Sequence, residues 1–259
     1  MHTVLLSLAA LLGAIPERVE WTVDGAAREA LVAAPDTKSA EGAPVVFVFH
    51  GHFGTMKGAN REFHLHEVWP EAIVVYPQGL RTPSPVDREG RGFGWQRTPG
   101  NQADRDLKFF DAMLATFHEK WTVDDSRVYA TGHSNGGAFT YLLWATRPEL
   151  LAAVVPCAAP KTDITLAHPL PAMHIAGQQD RIATFATQEQ MMAMARRADG
   201  CADTGQEWAK LCTLYPSKFD TPFVAYVHPG GHIVPKEAPQ LIVRFCKEHV
   251  KKSAAQAGK

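Results

Sequence analysis

Arg127-Val-Tyr-Ala-Thr-Gly-His-Ser-Asn-Gly-Gly137 contains an apolar run, then a serine between two glycines, then the start of a helical pattern. Residues 128–131 read as a short buried strand, and residues 138–147 as a helix stopped by Pro148. Gly132-His133-Ser134-Asn135-Gly136 fits G-x-S-x-G. Strand, sharp turn and helix together form the context of a nucleophile elbow. Gly132 and Gly136 let strand and helix approach closely around a strained serine. Ser134 then sits at a helix N-terminus, where free N–H groups and the helix dipole favour an oxyanion.

Working outward, the chain alternates strands with helices. Residues 17–22 and 29–33 read as an antiparallel edge pair around the turn Asp24-Gly25. Val45-Val-Phe-Val-Phe49 is a continuous apolar run, expected of a central strand covered on both faces. Residues 72–76, 151–155, 172–176 and 223–227 are further strands, and residues 104–117, 187–197 and 235–250 are helical. The economical architecture is α/β, with a mostly parallel sheet covered by helices and an antiparallel N-terminal edge. Residues 78–103 and 198–222 read as long irregular loops that suit a functional rim.

Three other places complete a chemistry for Ser134. His50-Gly-His52-Phe-Gly54 is a glycine-rich turn after an early central strand, so the backbone N–H of His52 is assigned as one oxyanion donor and that of Asn135 as the other. Asp180 follows the strand at 172–176 and His232 follows the last strand. Serine, acid and histidine in that chain order make a nucleophile, an orienting carboxylate and a general base. His228 is the alternative base. Capping of the next helix is the alternative role for Asp180, and Asp104 and Asp106 read as helix-terminal acids.

Trp95 and Trp208, one on each long loop, either stack on a substrate or anchor their loops. His133, beside the nucleophile, is a further substrate-binding candidate. Cys201 and Cys212 bracket a loop and are assigned as a disulfide in an oxidising compartment. His50, His52, His64 and His66 lack an acidic ligand at a recognisable spacing, so no metal is assigned. No organic cofactor is needed either. There is no complete G-x-G-x-x-G between an early strand and helix, and no P-loop lysine.

Composition fits this reading. The 259 residues are 46% hydrophobic and 20% charged, with a formal net charge of -1, so no polyanion-binding footprint is visible. Residues 4–15 are mostly apolar but too short to span a bilayer. They read as a signal peptide or an N-terminal helix (1–16), followed by a single catalytic domain (17–252) and a tail (253–259). Secretion or periplasmic export follows if the first segment is a signal, and a cytoplasmic location if it is not.

The chain resembles the extracellular α/β-hydrolase group of polyhydroxybutyrate depolymerase-like proteins, feruloyl esterases and acetylxylan esterases. The resemblance rests on His50-Gly-His52, Asp106 with Phe109-Phe110, the run from Asp124 to Gly137, Pro148-Glu-Leu-Leu-Ala-Ala153, Gly177 to Asp180, and Gly231-His232. It extends from about residue 19 onward. It implies the α/β-hydrolase fold, catalysis by Ser134, Asp180 and His232, and secretion. His52 stands where many relatives have a small or sulfur-containing residue, but only its backbone donor is required. The expected activity is that of a serine esterase releasing ferulate or related hydroxycinnamates from plant-wall sugar esters. The alternatives are a polyhydroxyalkanoate or other polyester depolymerase, and an acetylxylan esterase. The expected partner is a small or oligosaccharide-linked ester, with no nucleic acid and no stable membrane span.

Overall fold

The computed structural model describes residues 14–35, 41–160 and 163–251. The apolar segment expected to be a signal and the C-terminal tail fall outside the described residues, apart from residues 14–16. Among the described residues, twelve strands lie in chain order, the first four being β1 (Glu17–Val23), β2 (Ala26–Ala33), β3 (Ala43–Phe49) and β4 (Ile73–Pro77). The short pair β5 (Leu80–Arg81) and β6 (Phe93–Gly94) follows. Then come β7 (Val123–His133), β8 (Ala153–Cys157), β9 (Ala172–Gly177), β10 (Gln206–Ala209), β11 (Cys212–Tyr215) and β12 (Phe223–His228). The main sheet runs β1-β2-β4-β3-β7-β8-β9-β12-β11-β10. Its centre, from β4 to β12, is parallel, and both edges are antiparallel.

Period-2 alternation divides the central strands between two cores. Val45, Phe47 and Phe49 enter one core, while Val46 and Val48 enter the other. Ile73 and Val75 face the first, and Val74 and Tyr76 the second. The first core is closed by α3 (Arg105–Lys120), α4 (Asn135–Thr146) and α5 (Phe185–Ala198). The second is closed by α1 (Met56–Phe63), α2 (Leu65–Val68) and α6 (Ala238–Glu248). Burying each Val or Phe of β3 contributes about 1.5–3 kcal/mol, so this strand alone strongly favours a two-sided sheet. This is the α/β-hydrolase arrangement expected from the sequence.

The N-terminal edge is a two-residue hairpin. Asp24 and Gly25 both have positive φ, 50° and 78°, as the tight turn between right-twisted strands requires. The opposite edge differs from expectation. Residues 206–215, read as irregular, form the β10–β11 hairpin and extend the sheet beyond β12.

The expected disulfide is absent: Cys201 and Cys212 are both free thiols. Cys212 is buried in the second core, whereas Cys201 packs against the first. The sheet therefore separates two residues that are close in sequence. Burial raises both thiols to about 11, which disfavours the reactive thiolate.

Asp199, at the C-cap of α5, is fully buried. One carboxyl oxygen accepts from the Leu170 N–H at 2.8 Å, and the other has no partner. Burial raises this group from 3.8 to about 8. The folded chain thus holds a proton that the unfolded chain releases near pH 4. The resulting stability is fully present below that pH and is lost as pH rises through about 8. Asp199→Asn keeps the Leu170 bond and removes the ionisation. At pH 8 it is expected to gain about 1–2 kcal/mol, a rise in Tm of roughly 2–8 °C. The gain should fade towards pH 4. Thermal melts across that range check this, and equal slopes for the two proteins would count against the buried-acid assignment.

Candidate active site

Ser134 is the last residue before α4 and has φ 55° and ψ -116°. A non-glycine residue in that region is strained and persists only where its surroundings fix it. The Ser134 N–H donates to Cys157 O at 2.8 Å, which ties the turn to the neighbouring strand β8. The flanking glycines are sterically required. A Cβ on Gly132 would lie 2.6 Å from the Gly136 carbonyl carbon, and one on Gly136 would lie 2.2 Å from Phe49 O. Strand, turn and helix touch backbone to backbone, as the elbow reading requires.

Asp180 follows β9, and His232 lies on the loop after β12. Parallel pairing of β9 with β12 brings the two turns together. Gln178 N–H donates to His228 O, and Gln179 N–H to Gly230 O, each at 2.9 Å. His232 Nδ1 then lies 2.7 Å from Asp180 Oδ2. The Asp180 side chain also accepts from the N–H groups of Ile182 (2.8 Å) and Ala183 (3.0 Å) and from Gln188 Nε2 (3.0 Å). An acceptor-only role follows, so Nδ1 of His232 carries the proton and Nε2 is left as the basic atom. Ser134 Oγ has no hydrogen bond among the described residues, so the contact between serine and histidine is open here. Such contacts are often long before substrate binds.

His228, the alternative base, does not meet Asp180. Its Nδ1 accepts from the Gly230 N–H at 3.1 Å, and its Nε2 is buried without a partner. Burial lowers its pKa, which keeps the ring neutral and suits a fixed turn. His133 lies against His232, with ring centroids 4.7 Å apart. Burial and the neighbouring His232 hold His133 near 3, so it stays neutral. Its Nδ1 is 3.5 Å from a Glu62 carboxyl oxygen. Burial raises Glu62 to about 7, opposed by the Val234 N–H that donates to it. Glu62 thus bridges α1 to the His232 loop, and the sequence reading missed it.

The glycine turn after β3 approaches the elbow. A Cβ on Gly51 would sit 3.4 Å from Ser134 Cβ. The backbone N–H groups of His52 and Asn135 have no acceptor among the described residues. For Asn135 that is the ordinary state of a first-turn N–H. His50 fixes the turn: its Nδ1–H donates to Gly51 O at 2.7 Å and its Nε2 accepts from the Gly79 N–H at 2.9 Å. Burial pulls His50 down to about 4, which keeps the neutral tautomer these bonds need.

The side chain of His52 belongs to a second serine, histidine and aspartate cluster. Its Nε2 is 3.0 Å from Asp87 Oδ2 and 3.3 Å from Ser84 Oγ. A triad uses the two ring nitrogens separately, one for the acid and one for the nucleophile. Here both oxygens share one nitrogen, and Nδ1 is buried without a partner. An Nε2–H given to Asp87 cannot also accept the Ser84 proton. Asp87 also accepts from the Arg91 and Gly92 N–H groups, so the cluster fastens the loop across from the elbow.

Neither tryptophan is placed to stack on a substrate. Trp95 is fully buried, packs on Phe49 and Phe139, and donates its Nε1–H to His50 O at 2.8 Å. Its backbone is clasped by the Asn135 side chain, through Trp95 N to Oδ1 (2.7 Å) and Nδ2 to Trp95 O (3.1 Å). Trp208 lies on edge strand β10 against α6, where Arg244 covers its ring and Glu248 accepts its Nε1–H. The ambiguous aromatic signal resolves as loop and edge anchoring.

Exposed apolar side chains instead lie beside the candidate site residues in the chain. Phe53, Ile182 and Ile233 are 62%, 70% and 51% exposed, and each lies one or two residues from His52, Asp180 or His232. A cleft of about 460 Å³, within the range of small-molecule sites, lies beside His52, Phe53, Glu62 and His133. No cluster that could hold a metal occurs among the described residues, and none of their helices is long and apolar enough to cross a membrane.

No family model matches the chain. A bifunctional acetylxylan esterase/xylanase of Neocallimastix patriciarum is 25% identical over 198 residues, covering 75% of this chain and 27% of that protein. Feruloyl esterase D of Neurospora crassa is 32% identical over 83 residues, covering 32% of this chain and 23% of the relative. The chain thus spans about a quarter of the length of these two curated relatives. Among solved structures, an acetyl xylan esterase from Aspergillus awamori superposes with a TM-score of 0.67 at 15% identity, covering 88% of this chain and 98% of that one. A ferulic acid esterase superposes with a TM-score of 0.63 at 14% identity, covering 91% and 98%. With the sheet order and the elbow already described, the chain has the α/β-hydrolase fold and is similar in sequence, over part of its length, to acetylxylan and feruloyl esterases.

Proposed function

We propose that the protein is a serine carboxylic ester hydrolase acting through an acyl-enzyme. The 2.7 Å contact between His232 Nδ1 and Asp180, beside a strained Ser134 at the start of α4, carries this reading. Ser134 Oγ attacks the ester carbonyl while His232 Nε2 takes its proton. The N–H groups of His52 and Asn135 receive the oxyanion. The C–O bond to the alcohol then breaks, and His232 returns its proton to the departing alkoxide. Water, deprotonated by His232, attacks the acyl carbon and releases the acid and free Ser134.

For the acyl group we propose ferulate or a related hydroxycinnamate on a plant-wall sugar. The likeness to feruloyl esterase D and the exposed side chains of Phe53 and Ile233, next in the chain to His52 and His232, support this choice. A second reading, hydrolysis of an apolar polyester, is favoured by the exposure of Phe53, Ile182 and Ile233, each within two residues of His52, Asp180 or His232. Methyl ferulate, acetylated xylan, short p-nitrophenyl esters and hydroxybutyrate oligomers separate these readings. Methyl ferulate is expected to give the highest kcat/KM. Dominant hydroxybutyrate release without cinnamoyl-ester cleavage would establish the polyester reading, and activity on none of them would reject the esterase. An exported location is proposed on the apolar residues 4–15 and on the resemblance, and N-terminal sequencing of the mature protein tests it.

A further inference from the structure

Asp180 is attached to more than His232. Gln188 Nε2 donates to Asp180 Oδ2 at 3.0 Å and to Ala183 O at 2.7 Å, which uses both amide hydrogens. With the amide so turned, Gln188 Oε1 faces His174 Nε2 at 3.2 Å. His174 Nδ1 in turn faces the Tyr141 hydroxyl at 2.8 Å. Gln188, His174 and Tyr141 are all fully buried. They come from α5, β9 and α4, so the chain joins the helix that begins after Ser134 to the acid that follows β9.

Every polarity in this chain is fixed. An ionised Asp180 can only accept, so Gln188 must donate to it and accept from His174. His174 must then carry its proton on Nε2 and accept at Nδ1 from Tyr141 O–H. Burial supports that assignment, because it holds His174 near 4 and therefore neutral, and keeps the Tyr141 hydroxyl protonated. Each bond polarises the next towards Asp180. A buried polar strand residue and a buried tyrosine on an apolar helix would otherwise only add desolvation cost.

We propose that Tyr141, His174 and Gln188 form a positioning relay that orients the Asp180 carboxylate towards His232 and moderates its charge. The proposal rests on the serine-hydrolase reading above. The relay holds the second oxygen of Asp180 in line with His232 and couples that alignment to α4. Losing the Gln188 donor leaves more negative charge on Oδ2, which strengthens its hold on the His232 proton. The charge of Asp180 also acts on His133, His228 and Cys157, with Glu62 behind His133, and none of them is altered by changes in the relay.

The test uses Gln188→Met and Tyr141→Phe in the full chain, with folding followed by near-UV circular dichroism. For Gln188→Met, kcat should fall about tenfold with KM within about twofold, and the acid limb of the pH–rate profile should move up by about half a unit. Tyr141→Phe should move both in the same direction by a smaller amount, and the double variant should be no worse than Gln188→Met alone. A folded Gln188→Met with unchanged kcat and acid limb overturns the relay. If that variant does not fold, Tyr141→Phe decides by the same criterion, since it removes a single hydroxyl. A fluorophosphonate is first reacted with the unaltered protein. Failure to label Ser134 rejects the serine-hydrolase reading and the relay with it, whereas labelling at Ser134 with unshifted variants rejects the relay alone.

Discussion

Ser134→Ala is expected to lower kcat/KM by about ten-thousand-fold or more, while Ser84→Ala leaves it within about twofold. The contrast matters because both serines have a histidine and an aspartate in reach of their neighbourhood. Around Ser84, one nitrogen of His52 would have to serve both Asp87 and the hydroxyl. Around Ser134, the acid occupies Nδ1 of His232 and leaves Nε2 for the nucleophile. Ser134 also has the free N–H groups of a helix start, which Ser84 lacks. Alanine tolerates φ 55° no worse than serine does, so Ser134→Ala should unfold within about 1 kcal/mol of the unaltered protein. Hydrolysis of a p-nitrophenyl ester, with mass mapping of the fluorophosphonate adduct, measures both. Loss of activity in Ser84→Ala with retention in Ser134→Ala would transfer the nucleophile to the other cluster.

The elbow was legible in sequence because each of its constraints leaves a residue-level mark. A backbone crossing with Phe49 O 2.2 Å from any Cβ on Gly136 admits only glycine, so the motif records the packing directly. Val45 to Phe49 was equally legible, since a strand buried on both faces needs no polar side. The β10–β11 hairpin was not. Gln206-Glu-Trp-Ala209 is an edge strand with two exposed residues, and its composition is that of a loop. The cysteine assignment failed for a related reason. Proximity in sequence says nothing about which face of a sheet a side chain takes, and Cys201 and Cys212 took opposite ones. Trp95 was ambiguous because a buried aromatic in a long loop has the same composition as an exposed one. Its partners, Asn135 and His50, are 40 and 45 residues away. Asp180 and His232, which the structure places 2.7 Å apart, were picked out by their order after successive strands, whereas Gln188 and Glu62 carry no such mark. A histidine inside the apolar run 172–176 was the one visible sign of the relay.

The choice between the two late histidines gives the second large effect. His232→Ala is expected to reduce kcat about a thousandfold or more, and His228→Ala by less than about fivefold. Sequence favoured His232 by its place on a glycine turn after the last strand and by the family resemblance. The pairing of β9 with β12 adds a physical reason: it docks residues 228 and 230 onto the turn bearing Asp180, and this carries residue 232 beyond the strand end to the acid. His228 remains behind, closing its own turn through the Gly230 N–H. Its loss should therefore act through the loop, lowering Tm by a few degrees and disturbing His232 only slightly. Burst kinetics with a p-nitrophenyl ester separate these roles. A missing general base slows formation of the acyl-enzyme as well as its hydrolysis, so His232→Ala should show neither burst nor turnover, whereas His228→Ala should keep both. A burst preserved in His232→Ala but lost in a folded His228→Ala would make His228 the base. Asp180 would then have to leave its present partner, because its Oδ2 is already held by His232 on one side and Gln188 on the other.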